Sequence, residues 1–368
     1  MDFELREEEE LTRKLARDFA LREFPDLKAG LEEGEFPFPL WKKACEARLV
    51  GPRIPQEYGG AGASVLASVL IQEEFCRVNP RLGEALSSAT LGSDLLVRYG
   101  SKEQKERYLP PLVKGRARMG VAGLEPWKKP LWIEEVGGKM EARGRVELPP
   151  GPPPEYLVVR VSVEGLPSLL VLETVGRRIS GGLLAVEGEV KEEDLLGWRG
   201  GEPEMTEELL TLYRIDTAAQ ALGTAEGAVE RALRYLRERE KTGKPAWEYS
   251  RTLTKLAELR TEVEASRLLV YRAALAADRG RRDPLLATMA EWKAGRTAFA
   301  AAMEAALLHE GTWGHLEDYR VERFRRFALF HPRFPPFSAQ ELTSFHFLSE
   351  GLEEVERRLK RGWNRGAP

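Results

Sequence analysis

The residue types with the widest chemical repertoire are scarce and scattered in this chain. The four histidines show no H-x-x-H or HExxH grouping, the helical spacing that brings two imidazoles to one metal ion, so no metal site is expected. Cys45 and Cys76 are the only cysteines; two are too few for a disulfide framework, and no metal-ligand spacing joins them to other residues. Ile54–Gly62, read IPQEYGGAG, holds the glycines a phosphate cradle uses, but no strand precedes it. A turn between helices accounts for glycines there. What remains is one stretch built for close approach, Leu209 to Glu240. Apolar residues return at three- and four-residue steps (Leu212, Ile215, Ala219, Leu222, Ala225, Val229), so one stripe of a long helix faces a core. Its centre is small, with Ala218, Ala221, Gly223, Gly227 and Ala228, and admits either a neighbouring helix or a flat ligand close to the backbone. Gly243 and Pro245 stop the helix, and Arg237, Arg239 and Lys241 lie in its final turns, where cations suit the negative end.

From Arg214 to Pro245 the helix reads RIxxAAQALGxAxGAxxxALRYxxERxxxGKP. It resembles the helix and turn that line the acyl-CoA and flavin sites of acyl-CoA dehydrogenases. PxEYGGAG at Pro55–Gly62, and YGSxEQKxRYLPPLxxG at Tyr99–Gly115, resemble words of that family's amino-terminal helical domain. The resemblance implies a flavoprotein that removes the α-proton of an acyl-CoA thioester with a carboxylate while the β-hydride passes to N5 of FAD. Such chemistry needs a base, a flavin stacked on the acyl chain, and hydrogen bonds that acidify the α-proton through the thioester carbonyl.

The resemblance also shows where this chain departs. The family's base is the glutamate of YEGTxxIQ, soon after VERxxRD; here Val321-Glu322-Arg323-Phe324-Arg325-Arg326 is followed by Phe334-Pro335-Pro336-Phe337, which puts Pro335 at the base position. A smaller branch carries the base just before the arginine that matches Arg214, and that residue is Tyr213, whose ordinary pKa near 10 makes a poor base at neutral pH. No catalytic residue is therefore assigned. Glu207, Glu208, Asp216 and Glu341 are the carboxylates that could substitute, each read otherwise as a solvated helix-face or capping charge. Arg214 corresponds to an arginine near the CoA end, where it would hold a phosphate or else form a surface ion pair, and with Tyr213 it makes the substrate-binding expectation. Around the flavin, TEPxxGSD is reduced to Leu124-Glu125-Pro126 and Trp127-Lys128-Lys129-Pro130, so Gly123 and Leu124 stand where a threonine hydroxyl would meet the ring. Glu147-Leu148-Pro149-Pro150-Gly151 replaces W/F-I-T-N-G. Arg239 matches an arginine that reaches the FAD diphosphate across a subunit boundary and otherwise serves as a helix-end cation. The glutamines that would assist it are Ser250, Leu253 and Leu308, and His309 matches the histidine of QIHGG. Each lost partner of a buried charged cofactor costs about 1–3 kcal/mol, so FAD is expected to bind weakly or not at all.

These positions need elements to hold them. Glu9–Glu23, Pro39–Arg48, Ser64–Val78 and Leu82–Tyr99 carry helical periodicity; Leu131–Val136, Lys139–Val146, Glu155–Val163 and Leu166–Glu173 are short β-rich runs set off by Gly or Pro; Thr252–Arg279, Pro284–Glu310 and Glu341–Arg361 are helical again. The fold class is mainly α with a small β unit. It divides into an N-terminal helical domain (1–118), a reduced antiparallel β domain (119–203), some tens of residues shorter than the resemblance implies, and a C-terminal four-helix bundle (204–368). A chain of 368 residues, 42% hydrophobic and 31% charged, buries a large core. A net charge of -3 gives no electrostatic ground for nucleic acid. The charged first 19 residues and the lack of a roughly 20-residue apolar run point to a cytoplasmic chain without a membrane span, and abundant Arg, Glu, Leu and Pro to a heat-adapted source. Alanine-rich faces such as Ala298–Ala306 suit helix packing between subunits. The resemblance implies a homotetramer, or a mixed oligomer with a related subunit. Two readings follow: an acyl-CoA dehydrogenase with impaired dehydrogenation, or a non-catalytic partner (a pseudoenzyme) in a mixed complex.

Overall fold

The computed structural model describes residues 5–24, 35–124, 130–136, 139–149, 151–238, 240–241, 244–245, 249–281, 283–309 and 320–331. The amino-terminal part is helical: α1 (Glu7–Glu23), α2 (Phe38–Glu46), α3 (Val65–Val78), α4 (Pro80–Ser88), α5 (Ser93–Tyr99) and α6 (Lys102–Val113). Local chemistry sets several of these ends. The Ser64 hydroxyl accepts the Ala67 N–H at 3.0 Å to open α3, Asn79 caps α4 with Pro80 in its first turn, and Ser101 and Gln104 form a reciprocal capping box for α6. Where periodicity predicts one helix over Leu82–Tyr99, the chain breaks between α4 and α5, because Thr90 forms a bridge with Met119. The GGAG run is a turn: Gly59 closes a short 3-10 turn in the left-handed region, at φ 91°.

Eight strands follow: β1 (Met119–Ala122), β2 (Leu131–Val136), β3 (Lys139–Glu147), β4 (Tyr156–Val163), β5 (Leu166–Glu173), β6 (Ile179–Ser180), β7 (Leu183–Val190) and β8 (Leu195–Leu196). They form one sheet in the order β6-β7-β3-β2-β4-β5-β8, with β1 also on β4. The expected antiparallel unit is present, with two parallel pairings in addition. Along one edge of β4, β1 pairs parallel with its first half, Met119 opposite Tyr156, and β2 parallel with its second, Leu131 opposite Val161. β4 is buried on both faces, as its unbroken valine-rich sequence requires. Val158 points into a core shared with α5 and α6, while Leu157, Val159 and Val161 point into the core of the sheet itself.

The carboxyl-terminal part contains α7 (Glu202–Glu238), the short pair β9 (Glu240–Lys241) and β10 (Lys244–Pro245), then α8 (Ser250–Asp278), α9 (Pro284–Leu308) and α10 (Val321–Phe330). The expected helix at Glu341–Arg361 lies outside the described residues. α7 is 37 residues long and begins seven residues before Leu209, where the expected stretch opens, since Met205 is already fully buried. It packs most extensively on α9 and α3. The small residues at its centre serve helix packing. A Cβ on Gly223 would lie 2.1 Å from the Glu73 carbonyl oxygen of α3, and one on Gly227 would lie 2.2 Å from that of Arg77 and 2.5 Å from the Phe324 ring. The alanine face of α9 is likewise spent inside the chain: Ala298, Ala301, Ala302 and Ala305 are fully buried in the same core as α7. That face therefore gives no surface for a second subunit.

Around this crossing runs a network of charges. The buried Glu73 carboxylate accepts from Arg267 at 3.1 Å and from the Tyr271 hydroxyl at 2.7 Å, and Arg267 also donates to Glu226 at 2.8 Å. Burial raises the Glu226 pKa, and Arg267 and Arg260 outweigh it, so the net shift is downward. Among the described residues no helix is long and apolar enough to cross a membrane.

Because the α3 and α7 backbones touch at Gly223 and Gly227, an alanine there must push two helices apart. Gly223→Ala and Gly227→Ala are expected to lower stability by about 1–3 kcal/mol, despite an intrinsic helix-propensity gain of up to about 1 kcal/mol. Thermal or urea unfolding of the variants beside exposed Glu207→Ala checks this, and a rise in midpoint would show that the crossing has slack.

Candidate functional site

The polar residues of α7 nearest its amino-terminal half form the centre of the site. Tyr213 is half-buried, and its carbonyl accepts the Thr217 hydroxyl at 2.9 Å. Arg214 is 4% exposed, with Nε 3.8 Å from a carboxylate oxygen of Glu291 on α9. The ion pair weighed for it is thus present but is buried in the bundle rather than at the surface. Of the four carboxylates that could replace a base, Glu207 is exposed. Glu208 accepts from the Tyr99 hydroxyl and from Arg98 Nε at 2.9 Å. Asp216 is held by a guanidinium, and Glu341, like Pro335, lies outside the described residues.

Asp216 belongs to a cluster that sequence reasoning missed. Arg53, in the loop before the GGAG turn, donates Nη1 and Nη2 to the two oxygens of Asp216 at 2.9 and 2.8 Å, and Nε and Nη2 to those of Asp94 at 2.8 and 2.6 Å. Its remaining N–H reaches the Ser68 hydroxyl at 3.3 Å. Burial works against the Arg53 charge, and Asp216 and Asp94 more than offset it, so the guanidinium is held well above its ordinary pKa. The cluster lines a small cavity of about 40 Å³ between α3, α4, α5 and α7, closed on its apolar side by Phe75 and Leu86. An arginine inside the otherwise apolar run Leu49–Ile54 was the one local signal. Its partners, 41 and 163 residues away, left none.

At the flavin positions the side chains are mostly apolar. Gly123 ends β1 with φ +71°, a left-handed turn that frees the chain from the sheet. Beside it, Leu124 packs into the core shared with α5 and α6. Arg160 of β4, which the sequence did not single out, has its Cβ 4.0 Å from the place of a Cβ on residue 123, and its Nε lies 3.5 Å from Glu202. Ser250 and Leu253, in the first turn of α8, are exposed, and Leu308 packs against the cluster of Tyr235, Leu236 and Leu256. His309 is buried and stacked on Tyr235 with ring centroids 4.3 Å apart; burial lowers its pKa. Arg239 lies outside the described residues. Leu124, Ser250, Leu253 and Leu308 together offer one short hydroxyl. Among the described residues no group of three His, Cys, Asp or Glu side chains could hold a metal ion.

These positions divide between the two ends of α7. Tyr213, Arg214 and Asp216 are near its start, whereas Leu308 and α8 meet it at Tyr235 and Leu236, about 33 Å further along at 1.5 Å per residue.

Residues 6–116 match the N-terminal domain, and residues 203–332 the C-terminal domain, of acyl-CoA dehydrogenases. The chain is 31% identical over 351 residues to a 3-(aryl)acrylate reductase of Clostridium sporogenes, covering 87% of this chain and 92% of that one. It is 32% identical over 351 residues to an acyl-CoA dehydrogenase of Bacillus subtilis, covering 88% and 92%. Butyryl-CoA dehydrogenase from Megasphaera elsdenii superposes with a TM-score of 0.78 at 26% identity, over 89% of this chain and 94% of that one.

Removing Arg53 would leave Asp94 and Asp216 buried together without a counter-cation, and Arg53→Met is expected to cost about 3–5 kcal/mol. The sign of its pH dependence follows from proton binding. In the variant the folded carboxylate pair retains a proton that the unfolded chain releases, so stability falls as pH rises. The loss should be larger at pH 8 than at pH 5 by thermal unfolding relative to the parent chain; equal losses at both would mean the cluster is not electrostatically coupled.

Proposed function

The chain belongs to the acyl-CoA dehydrogenase family, and from that premise we propose that it holds an acyl-CoA thioester along the Tyr213 face of α7 with impaired α,β-dehydrogenation. The observation that carries this reading is the state of the base positions. Tyr213 and Pro335 occupy the two places the family uses, and the nearest carboxylates, Glu208 and Asp216, already accept hydrogen bonds from Tyr99, Arg98 and Arg53. A general base must stand within hydrogen-bond reach of the proton it removes, and these partners hold both carboxylates to contacts of their own. FAD, when bound in this family, accepts the β-hydride. Here Arg239, Gly123 and Leu124 would flank it, and the donor set around them supports weak binding or none. Arg214 would reach a CoA phosphate only by giving up Glu291. The three-unit division at 118 and 203 is part of the same proposal.

A second reading is a non-catalytic structural or regulatory subunit of a mixed complex, and one similarity supports the mixed complex, though not the lack of catalysis. The chain is 27% identical over 351 residues to a protein of Acetobacterium woodii named as subunit CarC of a caffeyl-CoA reductase-Etf complex. The separation of about 33 Å along α7 supports assembly in either reading. Two chains that set the Tyr213 region of one beside the Leu308 region of the other would join the two ends at one ligand.

Freshly purified protein is expected to show little flavin absorbance and to oxidise butyryl-CoA about 10²–10⁴-fold more slowly than a family member with its glutamate. Pro335→Glu should recover little, because the flavin would still be poorly held. Yellow protein with about one FAD per subunit, bleached by an acyl-CoA, would overturn the reading. Light scattering should show a dimer or tetramer, or a complex with a co-encoded homologue; a monomer under both conditions would remove the assembly.

A further inference from the structure

The cavity beside Arg53 has a chemistry of its own. All five N–H groups of Arg53 are engaged by Asp94, Asp216 and Ser68, so the guanidinium has no donor left for an anion. Its two carboxylate partners carry two negative charges against one, and among the described residues no other cation lines the cavity. The walls therefore hold one uncompensated negative charge, with the side chains of Arg53, Asp94 and Asp216 only 17%, 14% and 7% exposed. Thr90 and Ser93 also line the space, at 8% and 4% exposure. Neither hydroxyl hydrogen-bonds another described residue.

The cavity also lies where a substrate could reach it. Asp216 is three residues and Thr217 four residues beyond Tyr213 on α7, so all three share one face of the helix. A chain that passes Tyr213 and runs inward along that face ends at Asp216. The space of about 40 Å³ admits a few heavy atoms.

We infer that this cavity, with Asp94 and Asp216 as acceptors and Thr90 and Ser93 beside them, receives the far end of an acyl group that terminates in a protonated amine. An ammonium would neutralise the uncompensated charge and donate three hydrogen bonds to groups that have room to accept them. A terminal carboxylate would meet carboxylates, with the one nearby guanidinium already saturated. The inference rests on the reading that an acyl-CoA thioester lies along the Tyr213 face.

Three CoA thioethers of equal chain length test it, since a thioether neither cyclises onto its own amine nor turns over: S-(5-aminopentyl)-CoA, S-pentyl-CoA and S-(4-carboxybutyl)-CoA. Titration calorimetry on the full chain should show the amine-tipped compound binding at least roughly tenfold tighter than the pentyl compound, and the carboxylate-tipped one weakest. Asp216→Asn should narrow the amine-to-pentyl ratio to within about threefold, and Asp94→Asn serves as the second variant should the first fail to fold. Equal affinities, or a preference for the carboxylate, would overturn the subsite while leaving the acyl-CoA reading intact. A ratio unchanged in both variants would take the assignment away from these residues. Failure of S-pentyl-CoA itself to bind would sink the acyl-CoA reading and the subsite with it.

Discussion

The contact on which the rest depends is the crossing of α3 over α7, where main chain meets main chain. At Gly223 and Gly227 the separation leaves no space for even one methyl group, with the Glu73 and Arg77 carbonyls standing where a Cβ would go. Helices that approach so closely are fixed in register as well as angle, since sliding by a residue would put Leu222 and Glu226, or Thr224 and Ala228, against those carbonyls. The crossing thereby places Glu73 opposite Arg267 and Tyr271 of α8, and Arg77 opposite Glu230 of α7. Buried charges are tolerable there because each finds its partner at a fixed position. α9 then packs on the opposite side of α7 through its own alanine face.

The same rigidity locates the Arg53 cluster. Asp216 lies two turns before Gly223 on the same helix, and Ser68 lies a turn before Glu73 on α3, so the crossing holds both against the loop that carries Arg53. Asp94 is brought in from α5, whose separation from α4 depends on the bridge between Thr90 and Met119. A guanidinium that joins three helices and a loop through five hydrogen bonds is more than a local pair. It couples the helical layer to the start of the sheet, because Met119 is both the Thr90 partner and the first residue of β1.

Elements with a strong period were legible from the sequence. The long helix followed from its apolar stripe, and β2 to β5 from short β-rich runs between glycines and prolines, whereas β7 at Leu183–Val190 was not foreseen. What escaped depends on contacts distant in the chain. The start of α7 at Glu202 was invisible because its first turns look solvated, yet Glu202, Met205 and Thr206 are buried, with Met205 set against Gly197 and Gly201. The parallel pairing of β1 with β4 joins residues 37 apart, Met119 and Tyr156, and nothing local to either strand announces it. The site divides likewise. Arg214 and Tyr213 could be placed by resemblance, but the burial of Arg214 against Glu291 could not, since Glu291 sits on another helix.

Where the family's words persist and where they fail follows a physical line. The positions that keep their identity, such as Gly223, Gly227 and the turn glycines of Pro55–Gly62, are those at which backbone meets backbone or φ turns positive. At these places any side chain is paid for in folding stability, whatever the protein binds. The positions that differ from the family's words, such as Leu124, Ser250, Leu253 and Leu308, face space or an apolar surface that accepts many side chains. Their family identities answer to a ligand alone. In the reading proposed above, a chain released from tight flavin binding would lose the second group first and keep the first. The Arg53 cluster runs against this drift: two carboxylates and a guanidinium have been buried where neither backbone geometry nor sheet or helix packing calls for charge. A cost of that kind is retained only where something offsets it, which is the physical reason to look for a ligand at Asp216 before looking for a flavin at Leu124.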